Sequence, residues 1–424
     1  MKLLISFCNT ETASILAERK ISPLAYLDTQ SNALSWIKLP IIEHASGVSG
    51  LTCDQRFIYI AYQMPRSEGT VIVILHKKTF QLHKQYHIES ILDAHSLAIR
   101  DSVLFIVSTG TDTIYHINLK KGFLDLSSLN VFWKPEGCKG NADTHHINAI
   151  YNTPDRLIVS AFGKKTTSEK SSAKKGYIYD LTNGRYIEKD IYHPHSVVEL
   201  GGELFYCESA SKSVYSSTRG QLKFNIGYMR GLCITKNQYL IAARSSGREV
   251  SRSTGEINNI MDKGALLQSC SITMLRLKNG MRFNNFSYIF SAIKNNEYFN
   301  YRFNDYFREI YDVISLEGSI RPKNIWSKLH IPKDTDISLV DMQSFIGQAT
   351  KKDLLDMYLF VLDVYKIKAK AIHDLFESRR INTQMKKDLA FERNNVKLLQ
   401  NRINRIENST IFKIYQKVKG ILIR

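Results

Sequence analysis

Three histidines sit at the head of similar segments: "DAHSLAIRDSVLFIVSTG" from 93, "HHINAIYNTPDRLIVSAFGKK" from 145 and "HPHSVVELGGELFYCES" from 193. His95, His146 and His195 are each followed by a short strand-like run, a polar turn and a second run rich in β-branched and aromatic residues. Three imidazoles at one repeat position can converge on a common axis. Neutral imidazole binds Zn²⁺ or another divalent ion well, and three ligands leave a position open for water or substrate. Such an ion would act as a Lewis acid or generate hydroxide. The same spacing also suits direct contact with an organic substrate, with the histidines as acids and bases. It equally suits bonds to backbone or to the next repeat through Asp93 or Asp143.

A fourth segment, "YMRGLCITKNQYLIAARSSGRE" from 228, places Arg230 at the matching position. A guanidinium there fits a carboxylate or phosphate through paired bonds, or an internal carboxylate such as Glu249. Arg248 and Glu249 are candidate substrate contacts or an internal ion pair. Asn148 can orient a hydroxyl or satisfy a turn. Glu208 is an acid or base if it faces the axis, and otherwise a solvated strand end. His193 shapes the loop.

The segments must be positioned by a repeating element. Ser49, His95, His146, His195 and Arg230 lie 46, 51, 49 and 35 residues apart. A four-stranded unit recurring at roughly 40–50 residues is the pattern of a β-propeller. The expected architecture is an all-β, six-bladed propeller over 1–325. "LLISFCN" and "PLAYLDTQSNALSWIKL" would form the first blade. "SITMLRLKNG" and "EIYDVISLEG" would be late strands separated by an aromatic insertion.

After about 335 the pattern turns helical. Leu389, Val396 and Ile403 form one heptad seam and Met385, Leu399 and Ile406 the other, with Glu392 as a fault, so 382–407 reads as a short coiled coil. "STIFKIYQKVKGILIR" (409–424) reads as a basic amphipathic helix suited to a membrane surface, a partner helix or its own domain. The 424-residue chain carries a formal net charge of +18, which favours an acidic partner: nucleic acid, an anionic membrane surface or an anionic glycan. No nucleic-acid module is recognisable, so nucleic acid is the lesser option. The six cysteines are scattered without a C-x-x-C pair, as for reduced thiols in a cytoplasmic protein. No apolar stretch is long enough for a signal peptide core or a transmembrane helix.

In order, "DAHSLA", "HINAI" with "SAFGK", "GYIYDLTNGRYI", "PHSVVELGGELFYCES", "MRGL", "ARSSGRE" and "EIYDVISLEG" resemble an uncharacterised family of bacterial propeller proteins. Its comparable strings are D-x-H-D-L-A, H-L-N-G-L, P-H-S-P-R-W, T-R-G-L and L-S-x-x-R-E. The resemblance covers about 45–320. Val197 and Val198 replace a Pro-Arg pair, and Met229 replaces a Thr. Counted by D-x-H, His145 matches His95; counted by the family string, His146 does, and His146 is favoured. The resemblance implies fold and site location, and no activity.

The tail "LLQNRINRIENSTIFKIYQKVKGI" resembles the endings of bacterial glycosyltransferases and sugar methyltransferases acting on surface polysaccharides, with Phe412 where those carry Trp. That implies attachment to the inner leaflet and partners in glycan assembly. The leading expectation is a cytoplasmic, membrane-peripheral component of surface-polysaccharide or glycoconjugate synthesis. Its propeller channel would bind an anionic sugar-type ligand, with or without a divalent metal on His95, His146 and His195. If it is an enzyme, lyase, hydrolase or transferase chemistry is expected. The competing expectation is a non-catalytic scaffold that docks a glycosyltransferase, with the coiled coil joining copies of the chain.

Overall fold

The computed structural model describes residues 1–167, 172–224, 227–245, 270–283, 291–292, 295–303, 306–331 and 333. The chain divides into two units, Met1–Asn284 with Asn296–Asp336, and Asn285–Asn295 with Ile337–Arg424. The predicted helical region, coiled coil and basic tail lie outside the described residues, as do Arg248 and Glu249.

The first unit is a ring of six antiparallel sheets, the predicted six-bladed propeller. Blades 1 to 5 each run inward to outward in chain order. Their inner strands are Val48–Cys53, Ala94–Arg100, Ile147–Asn152, Pro194–Leu200 and Tyr228–Ile234. Blade 6 is assembled from both ends of the unit. Its inner strand is Ile310–Ser315, followed outward by Lys2–Phe7, Leu24–Asp28, Ala33–Ile37 and a fifth strand, Ile325–His330. The N-terminal strands therefore do not build a separate first blade; they complete the last one. Part of the aromatic insertion is also structural, because Tyr298–Arg302 is the outer strand of blade 5.

The second strand of each blade explains the apolar runs. "FIYIAY" at Phe57–Tyr62 and "LIVSA" at Leu157–Ala161 are buried along their whole length. Each is covered on both faces by neighbouring blades, so apolar residues are needed at every position rather than at alternate ones. Outer strands such as Leu82–Ile88 face solvent and are mostly polar. Closure is aromatic: Phe7 stacks on Phe307 at 4.4 Å and packs against Trp36, which is fully buried. Gly47 (φ 125°) closes the other side of that junction, since a Cβ there would stand 2.5 Å from the Phe7 carbonyl oxygen. All six cysteines are free thiols. No helix among the described residues is long and apolar enough to cross a membrane.

Candidate functional site

Successive inner strands pack side by side around the axis, and a backbone irregularity recurs in each of them. Pairing to the second strand slips between Val48 and Gly50, Ala94 and Ser96, Ile147 and Ala149, Pro194 and Val197, and Arg230 and Leu232. In blade 6 it slips across Tyr311. Such bulges re-aim a side chain out of the ladder. A second repeat fixes the register. Ser49 Oγ donates to the Ala94 carbonyl (2.5 Å), Thr109 Oγ1 to Ile147 (2.5 Å), Asn148 Nδ2 to Pro194 (3.5 Å), and Ser245 Oγ to Ile310 (3.0 Å). Ser209 Oγ donates likewise to Met229. Each bond runs from one blade to the carbonyl just before the next blade's axial residue.

The axial ring is therefore Ser49, His95, Asn148, His195, Arg230 and Tyr311. His95, His195 and Arg230 occupy the predicted position. His146 does not; Asn148 does. His146 belongs two residues earlier, with Gly47, Asp93 and His193, all of which adopt positive φ (54°, 125°, 50° and 55°). That turn needs left-handed backbone, which Gly, Asp and His tolerate better than branched residues. Tyr311 completes the ring from a strand whose register the sequence did not reveal.

The rings still form a chain of contacts. His95 meets His146 edge to face at 5.3 Å and Tyr311 at 5.4 Å. Phe162 lies between His146 (4.5 Å) and His195 (5.1 Å), and stacks on His193 at 4.1 Å. His146 Nδ1 is 3.1 Å from both oxygens of Asp143, which also pairs with Lys165 (2.9 Å) and Arg66 (3.3 Å). Burial works against the Asp143 carboxylate, but His146 and Lys165 together hold its pKa far below the usual range. Arg66 also reaches Asp93 at 3.4 Å. His95 Nδ1 lies 2.9 Å from the Asp93 carbonyl oxygen, and His195 Nδ1 2.6 Å from Ser209 Oγ. Burial, then the Arg230 and His146 charges, push His195 well below its ordinary pKa, so it is neutral near pH 7.

Arg230 already has a carboxylate. Its Nη1 lies 3.5 Å from Glu309 Oε2 and 3.6 Å from Cys8 Sγ, and its guanidinium sits over Tyr311 at 5.0 Å and Tyr228 at 5.4 Å. The internal partner is Glu309. Burial opposes its charge, yet Cys8 and Glu309 outweigh that and raise its pKa. Glu208 is a strand-end group that accepts from Tyr192 N. Among the described residues, no three His, Cys, Asp or Glu side chains group at a spacing that could hold a metal ion. The imidazole set is spread over two ring positions, with Phe162 wedged into it.

Between His95, Asn148, His195, Tyr311 and Asp312 lies a cavity of about 20 Å³, room for about one water molecule. Asn148 is 2% exposed. Its amide nitrogen donates to the His146 (3.2 Å) and Pro194 carbonyls, both pure acceptors, which fixes the amide orientation. Its Oδ1 has no hydrogen-bond partner among the described residues. Asp312 lines the same cavity, and burial pushes its carboxyl up to about 7 against backbone bonds from Val313 and Leu51.

A family model described as Domain of unknown function (DUF4915) matches residues 74–325. No curated protein matches the chain. Among solved structures, the chain is similar to one from a nidogen/laminin complex (TM-score 0.46, 10% identity, 74% of this chain and 97% of that one). It is similar to a candidate 6-phosphogluconolactonase from Bacteroides fragilis NCTC 9343 (TM-score 0.43, 9% identity, 74% and 98%). A luciferin-regenerating enzyme also matches (TM-score 0.37, 13% identity, 55% and 85%).

Proposed function

We propose, from the premise that this chain belongs to the family described as Domain of unknown function (DUF4915), that its propeller axis is a recognition site for a small hydroxyl-bearing ligand of the carbohydrate class. One observation carries the reading: the buried Asn148 Oδ1 has no donor among the described residues. A buried amide oxygen left unbonded costs about 1–3 kcal/mol, and a ligand hydroxyl beside the cavity would recover it. His95, His195 and Tyr311 supply further groups that can donate or accept, and aromatic faces of the kind that pack on sugar rings.

The electrostatics revise the expected ligand charge. Among the described residues around the axis, Arg66, Lys165 and Arg230 stand with Asp93, Asp143, Glu309 and Asp312, three positive groups and four that can be negative. The net charge of +18 is therefore not expressed here, and a neutral sugar fits better than the expected anionic one. The cavity is small, so the ligand would seat one hydroxyl inside and rest its ring on the mouth. The wider setting is proposed on the tail resemblance alone: inner-leaflet attachment and glycan-assembly partners.

Thermal unfolding with a panel of neutral hexoses, N-acetylated hexosamines and hexuronic acids tests the reading. At a ligand concentration of 100 Kd, stabilisation is about 2.7 kcal/mol. The expected result is a saturable rise in Tm with a neutral sugar, absent in Asn148→Ala. No rise with any sugar would leave the cavity to a single water molecule and favour the non-catalytic scaffold.

A further inference from the structure

One residue inside the axial ring lies a second tier: Gly50, Ser96, Ala149, Ser196, Gly231 and Asp312. Asp312 is its one ionisable member. The others are small, and at Gly231 a Cβ would stand 3.1 Å from Asp312 Cα and from Val313 N, so the tier is tight there. The Asp312 carboxylate accepts from Val313 N at 2.8 Å, with a further backbone bond from Leu51. No basic side chain among the described residues forms an ion pair with it, and Arg230 pairs with Glu309. A half-buried carboxylate with no basic partner is offset by either a proton or a cation. Asn148 lines the same cavity, and its Oδ1 has no donor among the described residues.

We propose that this inner tier is a binding site for one small cation, held by oxygens of Asp312 and Asn148. The site deepens the recognition reading above and lies in the same cavity, so a ligand hydroxyl and the cation compete for Asn148 there. Two sources fit: a hard metal ion, or the primary ammonium of an amino-bearing ligand. The oxygen donors favour either over a zinc ion on imidazoles. The cation competes with the proton on Asp312. Facing that carboxyl are Tyr311 on its own strand, Cys233 from blade 5, Cys207 from blade 4, and His95 and His195 across the cavity. Burial raises the pKa of Tyr311 and both thiols, so all three stay neutral at pH 8. Arg230 stays charged throughout. Cation binding therefore strengthens as pH rises through the Asp312 midpoint.

The test is thermal unfolding of the full chain and Asp312→Asn at pH 5 and pH 8. Magnesium, calcium, manganese and zinc chlorides, ammonium chloride and glucosamine are added separately, with glucose as the uncharged comparison. A magnesium, calcium, manganese or amine probe is expected to raise the wild-type Tm saturably at pH 8. The response is expected to be weaker at pH 5 and lost in Asp312→Asn. A response to metal chlorides assigns a metal ion; a response to ammonium or glucosamine alone assigns an amine. If no cation separates wild type from Asp312→Asn, the proposal is overturned. A zinc response that survives in Asp312→Asn and disappears in His95→Ala overturns it too, by placing the metal on imidazoles. A glucose response with silent cation arms overturns this proposal and leaves the carbohydrate reading standing. Should Asp312→Asn fail to fold, the ¹³C carboxyl shift of Asp312 in the wild-type chain decides: the probe must lower its titration midpoint.

Discussion

At the scale of single residues, the site is legible where chemistry and spacing coincide. His95, His195 and Arg230 could be placed from the repeat alone. His146 could not, because "HHINAI" offers two histidines and the second is the left-handed residue before the strand. The string "EIYD" at 309–312 carries the same pattern as "DAHS" and "HPHS", with Tyr311 in the axial place and Asp312 after it. That alignment was available in the sequence, but without blade 6 assembled nothing marked it. Asp312 also gives a stability prediction. Its folded pKa of about 7 exceeds the unfolded value of about 3.9. The folded state therefore prefers the protonated form, and this favourable contribution is full below about pH 4 and lost as pH rises through about 7. Asp312→Asn should gain stability relative to wild type between pH 5 and pH 8, on the order of 2 kcal/mol once the part facing the channel is discounted. Urea unfolding at both pH values measures it, and a difference that does not change with pH would refute the half-buried carboxylate without a basic partner. His195 works in the opposite sense. Its pKa is depressed, so its contribution is present above about pH 6.5 and lost as the pH falls.

At the scale of elements, the bulged inner strand is the device that turns a β-ladder into a site. It takes the axial residue out of the ladder in blades 1 to 4 and 6, while in blade 5 the unpaired residue is Gly231 and Arg230 stays paired with Ala243; side-chain bonds from the preceding blade hold the adjoining carbonyl. Ser209 illustrates the coupling, bonding both the Met229 carbonyl across the blade junction and His195 Nδ1. Ser209→Ala should lower stability by about 1–2 kcal/mol and change the His195 titration seen by NMR. Unchanged stability and an unchanged His195 titration would show that the bridge does not hold the ring. Hydropathy patterning gave the second strands, which are buried on both faces. It could not give the bulges, because these are set by hydrogen-bond register rather than by residue polarity.

At the scale of the whole molecule, the predicted blade number agrees with the structure while the closure does not follow chain order. Apolar runs count strands, and they do not say which end of the chain they join. Lys2–Phe7 is hydrogen-bonded on one side to Ile310–Ser315 and on the other to Leu24–Asp28. Removing residues 1–9 should thus unfold blade 6 and expose the inner strand's edge. The expected outcome is loss of the cooperative thermal transition by circular dichroism; a retained transition would mean that the ring closes without that strand. Net charge belongs to the whole chain, and a total of +18 does not say which surface carries it. The most direct check of the account is calorimetric titration of wild-type and Asn148→Ala protein with the neutral sugar giving the largest thermal shift. Saturable binding by the wild type is expected, with a Kd raised about tenfold or more in the variant, the equivalent of one lost buried hydrogen bond. Equal affinity in the two proteins would contradict it.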